Sequence, residues 1–156
     1  MTGWADVERD LIVVACAISA GIHAALVPAH LEESTAAGVA FAASAAALAA
    51  LAVALTRRPS AAVLRTTAAT FAGLVAAYGL AVTTGLPILH PEAEPLEGLA
   101  LFTKAVELTG LAAAIHLLRR EELWHENHDL APDPAGAHRP DRVLQRADRA
   151  RGLQRT

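Results

Sequence analysis

Four long apolar segments set the strongest limit on how this chain can fold. They are LIVVACAISAGIHAALVPA (11–29), AAGVAFAASAAALAALAVALT (36–56), AAVLRTTAATFAGLVAAYGLAVTTGLP (61–87) and GLALFTKAVELTGLAAAIHLL (98–118). Each reaches the roughly 20 residues that a helix needs to cross a hydrocarbon core about 30 Å thick. Because lipid offers the backbone no hydrogen-bond partners, such segments must be helical. The sequence therefore predicts an all-α integral membrane protein, with a bundle of four transmembrane helices over residues 1–118.

Composition supports the same fold class. Hydrophobic residues make up 54% of the 156 residues, but aromatic residues only 4%. Alanine is the commonest apolar residue, and small side chains allow helices to approach closely in lipid. The remaining segment, 119–156, carries eight arginines and the proline-rich stretch APDPAGAHRP. We expect this segment to be a partly disordered tail that is either solvated or in contact with anionic lipid headgroups.

The distribution of arginine predicts the orientation in the membrane. Arg57 and Arg58 lie between the second and third segments, and the tail holds eight more arginines. The connections HLEEST (30–35) and 90–97 contain no lysine or arginine and together hold five glutamates. By the positive-inside rule the basic connection and both termini face the cytoplasm, so the predicted topology is N-in/C-in. We expect a multi-pass protein of the plasma membrane that has the lipid bilayer as its first partner.

Two histidines near the outer end of the first segment are candidate ligands. His23 and His30 are seven residues apart, which is nearly two helical turns, so both side chains lie on one helix face. At 1.5 Å per residue, His23 lies about 10 Å deeper than His30. The pair would form a polar stripe that descends from the outer surface into the bundle.

The fourth segment and the connection before it supply further polar residues at similar depth. Lys104 and Glu107 are three residues apart and are expected to pair. His90 and Glu94 lie in the connection that precedes the helix. We therefore predict an outward-facing metal site built from His23, His30, His90, Glu94 and Glu107, with Lys104 beside it. Imidazole and carboxylate suit copper, zinc or iron, and haem is a further possible cofactor.

Other interpretations of the same residues stay open. In one alternative the polar groups have a structural role only and fix the packing of the helices. Lys104 would then extend towards the headgroups, and Glu107 would form a hydrogen bond with a threonine or with His23. The protein would then be an accessory subunit of a larger membrane complex or a homo-oligomer. A small carrier of protons or solutes is the third alternative.

Catalysis and nucleic-acid binding have no support in the sequence. The chain contains no phosphate-binding glycine loop, G-x-S-x-G, H-E-x-x-H or C-x-x-C motif, so we expect a protein that is not an enzyme. Aromatic residues are few and the arginines lie on the tail, which disfavours a nucleic-acid partner. Cys16 is the single cysteine and excludes an intramolecular disulfide.

Three stretches together resemble small four-span integral membrane proteins of actinobacteria, a group of uncharacterised proteins. They are GIHAALVPAHLEE in the first segment, TTGLPI at the end of the third and TKAVELTGLAAAIHLL in the fourth. The resemblance covers about residues 11–118. It implies a plasma-membrane location and gives weight to His23 or His30, to the turn Thr84, Gly85, Leu86 and Pro87, and to Glu107. It implies no activity.

Overall fold

The structure is a computed structural model that describes residues 3–85 and 97–129, with side chains as far as residue 120. Its helices are α1 (Gly3–Glu33), α2 (Thr35–Arg57), α3 (Ala61–Thr83) and α4 (Gly98–Asp129). The chain divides into two units, Met1–Glu122 and Leu123–Thr156, and the second is described only from residue 123 to 129, as helix. Within the described residues, the all-α prediction with four helices is confirmed.

All four helices are long and apolar enough to cross a membrane. Within the apolar stretch of each helix, only 17% to 33% of the residues are buried inside the protein. Large apolar side chains therefore face outward along the bundle; Val14, Val53 and Phe102, for example, are each about half exposed. A helix with apolar residues on both its inner and outer faces suits a lipid environment. The described residues thus have the architecture of a multi-pass membrane protein.

The connection between α1 and α2 is a single residue, Ser34. Its N–H donates to the His30 carbonyl at 2.9 Å, which extends the last turn of α1. Its hydroxyl accepts from the Ala37 N–H at 3.4 Å and so caps the start of α2. Position 38, near the start of α2, is a glycine, and a side chain there would collide with Leu31. This tight turn makes α1 and α2 neighbours in the bundle. Helix α1 also extends beyond the predicted segment 11–29 at both ends.

The third helix ends at Thr83, before the end of the predicted segment 61–87. The Thr84 N–H still donates to the Leu80 carbonyl at 2.9 Å, but Gly85 then adopts a positive φ of 72°. This left-handed backbone conformation favours glycine and commonly terminates a helix. Hydropathy alone does not register a glycine stop, so the end of an apolar segment need not coincide with the end of its helix.

The hydrophobic core fills one half of the bundle, formed by the first half of α1, the end of α2, the start of α3 and the end of the apolar part of α4. Ile12, Leu55 and Phe71 are fully buried there. Gly110 of α4 lies against this core, since an added Cβ would be 2.6 Å from the Phe71 ring and 2.9 Å from Ala15 Cβ. Glycine at this position lets α1, α3 and α4 approach one another closely. We call the opposite half, which holds the end of α1 and the start of α4, the cavity half.

Candidate ligand site

A cavity of about 220 Å³ occupies the cavity half, and all four helices contribute to its wall. Most of the lining is apolar. The polar lining residues are His23, His30, Ser44, Tyr78, Glu97, Thr103 and Lys104. The two histidines and the lysine predicted from the sequence therefore face one common space.

His23 and His30 are held in the same way. The Nδ1 atom of His23 lies 2.9 Å from the Ser19 carbonyl oxygen, and Nδ1 of His30 lies 3.0 Å from the Leu26 carbonyl oxygen. A carbonyl oxygen only accepts, so in both rings Nδ1 carries the hydrogen and donates it. In a neutral imidazole the lone pair then resides on Nε2. Each ring is fixed through the nitrogen nearer the backbone, and Nε2 is the atom suited to a ligand.

Phe41 of α2 brings the two imidazoles together. The His30 ring stacks on Phe41 with centroids 3.7 Å apart and planes inclined by 24°. The His23 ring contacts the same phenyl group in a tilted arrangement, with centroids 5.3 Å apart. His23 and His30 therefore lie on one face of α1, as predicted. The Phe41 ring from the neighbouring helix restricts the orientations of both side chains.

A buried polar network links α1 to α4 next to the cavity. Glu107 and Ser19 are both fully buried. The Ser19 hydroxyl donates to Glu107 Oε1 at 2.7 Å, and Lys104 Nζ donates to Glu107 Oε2. The same Ser19 hydroxyl lies 3.4 Å from His23 Nδ1. The expected Lys104–Glu107 pair is present, and Ser19 connects it to His23.

Lys104 also reaches α3. Its Nζ lies 3.5 Å from the Leu74 carbonyl oxygen and 5.5 Å from the centre of the Tyr78 ring. The Tyr78 hydroxyl oxygen is buried and has no hydrogen-bond partner among the described residues. Lys104 is therefore held between a carboxylate, a carbonyl and an aromatic face, which together offset the cost of placing its charge within the bundle.

The structure describes only part of the predicted metal site. His90 and Glu94 lie outside the described residues. Glu107 is close to the cavity through Ser19 and Lys104 but is not part of its lining. Among the residues that are described, no group of three or more histidine, cysteine or acidic side chains is placed to hold a metal ion. A site with three or more protein ligands in this cavity would need residues beyond those that the structure describes.

His116 lies nine residues beyond Glu107 in α4 and belongs to the other end of the bundle. Its Nδ1 donates to Glu8 Oε1 at 2.9 Å, and Arg120 lies 3.6 Å from the second oxygen of Glu8. These contacts join the start of α1 to α4 far from the cavity. His116 therefore provides a natural control histidine for experiments on the cavity.

Sequence reasoning missed two residues that shape the site. Ser19 precedes His23 by four positions, so the helical period places both side chains on the same face of α1. This spacing could have identified Ser19 as a polar neighbour of His23. Phe41 carried no comparable signal, because its contact with His23 and His30 depends on the packing of α1 against α2.

Comparison with known proteins adds no relative: no protein-family model, no curated protein and no solved structure matches the chain. The class of this protein is described by its fold and its site alone. The class is an all-α chain with four helices, in its described residues, that are long and apolar enough to span a membrane, and with a histidine-lined cavity in one half.

Proposed function

We propose that this chain is an integral membrane protein that binds a transition metal ion in its cavity, with His23 and His30 as ligands. The observation that carries the proposal is that both imidazoles line one cavity while each Nδ1 donates to a backbone carbonyl. Histidines that ligate metals almost always donate their other ring N–H in this way, which fixes the tautomer and orients the ring. The role is binding rather than catalysis.

The remaining ligands would come from the connection before α4. Structural zinc usually takes four ligands, whereas catalytic or exchangeable sites keep three protein ligands and an open position. His90 and Glu94 are the side chains we propose for these places. Glu107 would not bind the ion directly in this proposal, because its two oxygens already accept hydrogen bonds from Ser19 and Lys104. In this role it positions Ser19, and through Ser19 the ring of His23.

The size of the cavity favours an ion over haem. Pockets for drug-sized ligands usually measure about 300 to 1,000 Å³, and this cavity measures about 220 Å³. Imidazole nitrogen is a good donor for zinc and copper. We therefore propose Zn²⁺ or Cu²⁺ as the first ions to test.

Metal analysis of the purified protein tests this proposal. Protein in mild detergent would be loaded with Zn²⁺ or Cu²⁺, passed through a desalting column and measured by elemental analysis. For copper, electron paramagnetic resonance would report nitrogen ligands. We expect about one ion per chain, and a loss of affinity of at least about tenfold in both His23→Ala and His30→Ala, since even the residues behind metal ligands affect affinity to that extent.

His116→Ala is the matched control, because it also removes one histidine from the bundle. His116 lies at the opposite end and pairs with Glu8, so its removal should leave metal content unchanged. The proposal fails if wild-type protein retains no ion. It also fails if His116→Ala lowers retention as much as His23→Ala does.

We further propose the N-in/C-in orientation in the plasma membrane, which places the cavity half outward. The support is the arginine bias of the connections. Labelling of introduced cysteines tests it, since the native Cys16 is fully buried and should give little background. A membrane-impermeant maleimide should label Glu32→Cys in intact cells and label Pro59→Cys only after permeabilisation. The reverse pattern would invert the topology and turn the cavity to the cytoplasm.

The buried ion pair favours a second candidate function, the handling of protons. Lys104, Glu107, Ser19 and His23 form a chain of polar contacts inside an apolar bundle, and intramembrane ionisable residues often mark proton pathways. Reconstituted vesicles with an internal pH dye would measure proton flux. Flux that is lost in Glu107→Gln would support this function, and an absence of flux in the wild type would exclude it.

A further inference from the structure

The cavity offers hydrogen-bond donors from α3 and α4 as well as the histidines of α1. The Tyr78 hydroxyl oxygen is buried and has no partner among the described residues, and Tyr78 lines the cavity. A buried hydroxyl without a partner lowers stability, because it has lost its bonds to water. A ligand that brings an acceptor atom into the cavity would satisfy it.

Lys104 provides a second donor close by. An ammonium group has three N–H donors, and Lys104 uses them towards Glu107 and, at 3.5 Å, towards the Leu74 carbonyl. Within residues 3–85 and 97–120 its third donor has no hydrogen-bond partner, and Nζ lies 5.5 Å from the centre of the Tyr78 ring. Tyr78 and Lys104, which carry these two donors, both line the cavity.

The charges of the site determine which acceptor fits. Glu107 already balances the charge of Lys104, so the pair is neutral as a whole. An anionic ligand would add an uncompensated charge to a mostly apolar cavity, which is costly. A neutral carbonyl oxygen accepts hydrogen bonds from both donors without adding charge. The apolar lining in turn suits a ligand with an apolar body.

We propose that this cavity binds a neutral, lipid-soluble carbonyl compound, such as a quinone, whose oxygen accepts hydrogen bonds from Tyr78 and Lys104. The cavity holds about 220 Å³. That space accommodates a single-ring head group. Leu99, which lines the cavity and is 51% exposed, marks where an attached chain would leave it. This inference goes beyond the metal site and does not rest on it.

Calorimetric titration of the detergent-solubilised full chain tests the inference, with a chelator present so that no metal ion contributes. The probes are decyl-benzoquinone, which carries neutral carbonyls, and decylbenzene, which has the same chain and ring but no acceptor. We expect the quinone to bind at least about tenfold more tightly. Tyr78→Phe, which removes only the hydroxyl, should weaken quinone binding by about tenfold and leave decylbenzene unaffected, the loss expected for one unmade hydrogen bond.

Thr70→Val is the control for removing a hydroxyl from α3 outside the cavity wall. The Thr70 hydroxyl already donates to the Thr66 carbonyl at 2.9 Å and Thr70 does not line the cavity, so its loss should not change quinone binding. Equal affinity for the two probes overturns the proposal, and so does tighter binding of the decanoate anion than of the quinone. Equal quinone affinity in wild type and Tyr78→Phe also overturns it. Because the titration contains chelator, failure of the metal proposal leaves these outcomes unchanged.

Discussion

Replacing Glu107 by glutamine should destabilise the bundle more than any other single polar change in the cavity half. The substitution keeps the shape but leaves Lys104 without its counter-charge, and breaking a buried ion pair in this way costs about 3 to 5 kcal/mol. The face of Tyr78 and the Leu74 carbonyl remain beside Lys104, so its charge is not wholly uncompensated and the cost should fall towards or slightly below the lower end of that range. We therefore expect a net loss of about 2 to 4 kcal/mol. Ser19→Ala leaves the ion pair intact and should cost only about 1 kcal/mol.

Unfolding by sodium dodecyl sulfate in mixed micelles, followed by circular dichroism, measures these free energies. Glu107→Gln should shift the transition to lower detergent fraction. The double variant Lys104→Met/Glu107→Gln should cost less than the sum of its single variants, because it removes the stranded charge together with its partner. A coupling of at least about 1.5 kcal/mol is expected.

An exposed pair with the same spacing provides the control. Arg9 lies 3.3 Å from Asp6, and their side chains are 34% and 55% exposed. Exposed pairs are usually worth between about 0.2 and 1 kcal/mol, so Arg9→Gln should barely move the transition. If Glu107→Gln costs no more than Arg9→Gln, or if the double variant equals the sum of its singles, the buried pair does not contribute as we argue.

Three further predictions concern packing and capping. Gly110→Val should cost about 1 to 3 kcal/mol in the same unfolding assay because it overpacks a helix contact, whereas Gly79→Ala, with open space around its Cα, should be neutral or stabilising. Ser60→Ala should cost about 1 kcal/mol, since the Ser60 hydroxyl caps α3 by accepting a backbone N–H at 3.3 Å; an unchanged transition would show that water caps the helix equally well. Cys16, which is fully buried, should react with a maleimide only after denaturation, and rapid labelling of native protein would contradict the packing of α1.

Hydropathy and helical period were sufficient to predict the fold class and part of the site. Four apolar segments predicted four helices, because length and apolarity depend on local sequence alone. The spacing of seven between His23 and His30 predicted their common face, and the spacing of three predicted the Lys104–Glu107 contact. These relations lie within one helix, where the period of 3.6 residues fixes the geometry.

Relations between helices were harder to predict. Phe41 meets both histidines only because α2 packs against α1 in one particular rotation, and no spacing rule gives that rotation. The bond from Ser19 to Glu107 likewise joins residues 88 positions apart. The proposed roles of His90 and Glu94 stay predictions from the sequence, since both lie outside the described residues.

The single-residue turn at Ser34 has a consequence for how the protein is made. With no spacer between them, α1 and α2 would enter the bilayer together as a helical hairpin, before α3 has left the ribosome. His30 and Phe41 lie on either side of this turn, so their stacking is a contact between residues close in sequence, and we expect it to form before α3 and α4 are in place. One wall of the cavity is therefore expected to be in place during synthesis, and α3 and α4 to assemble onto it afterwards.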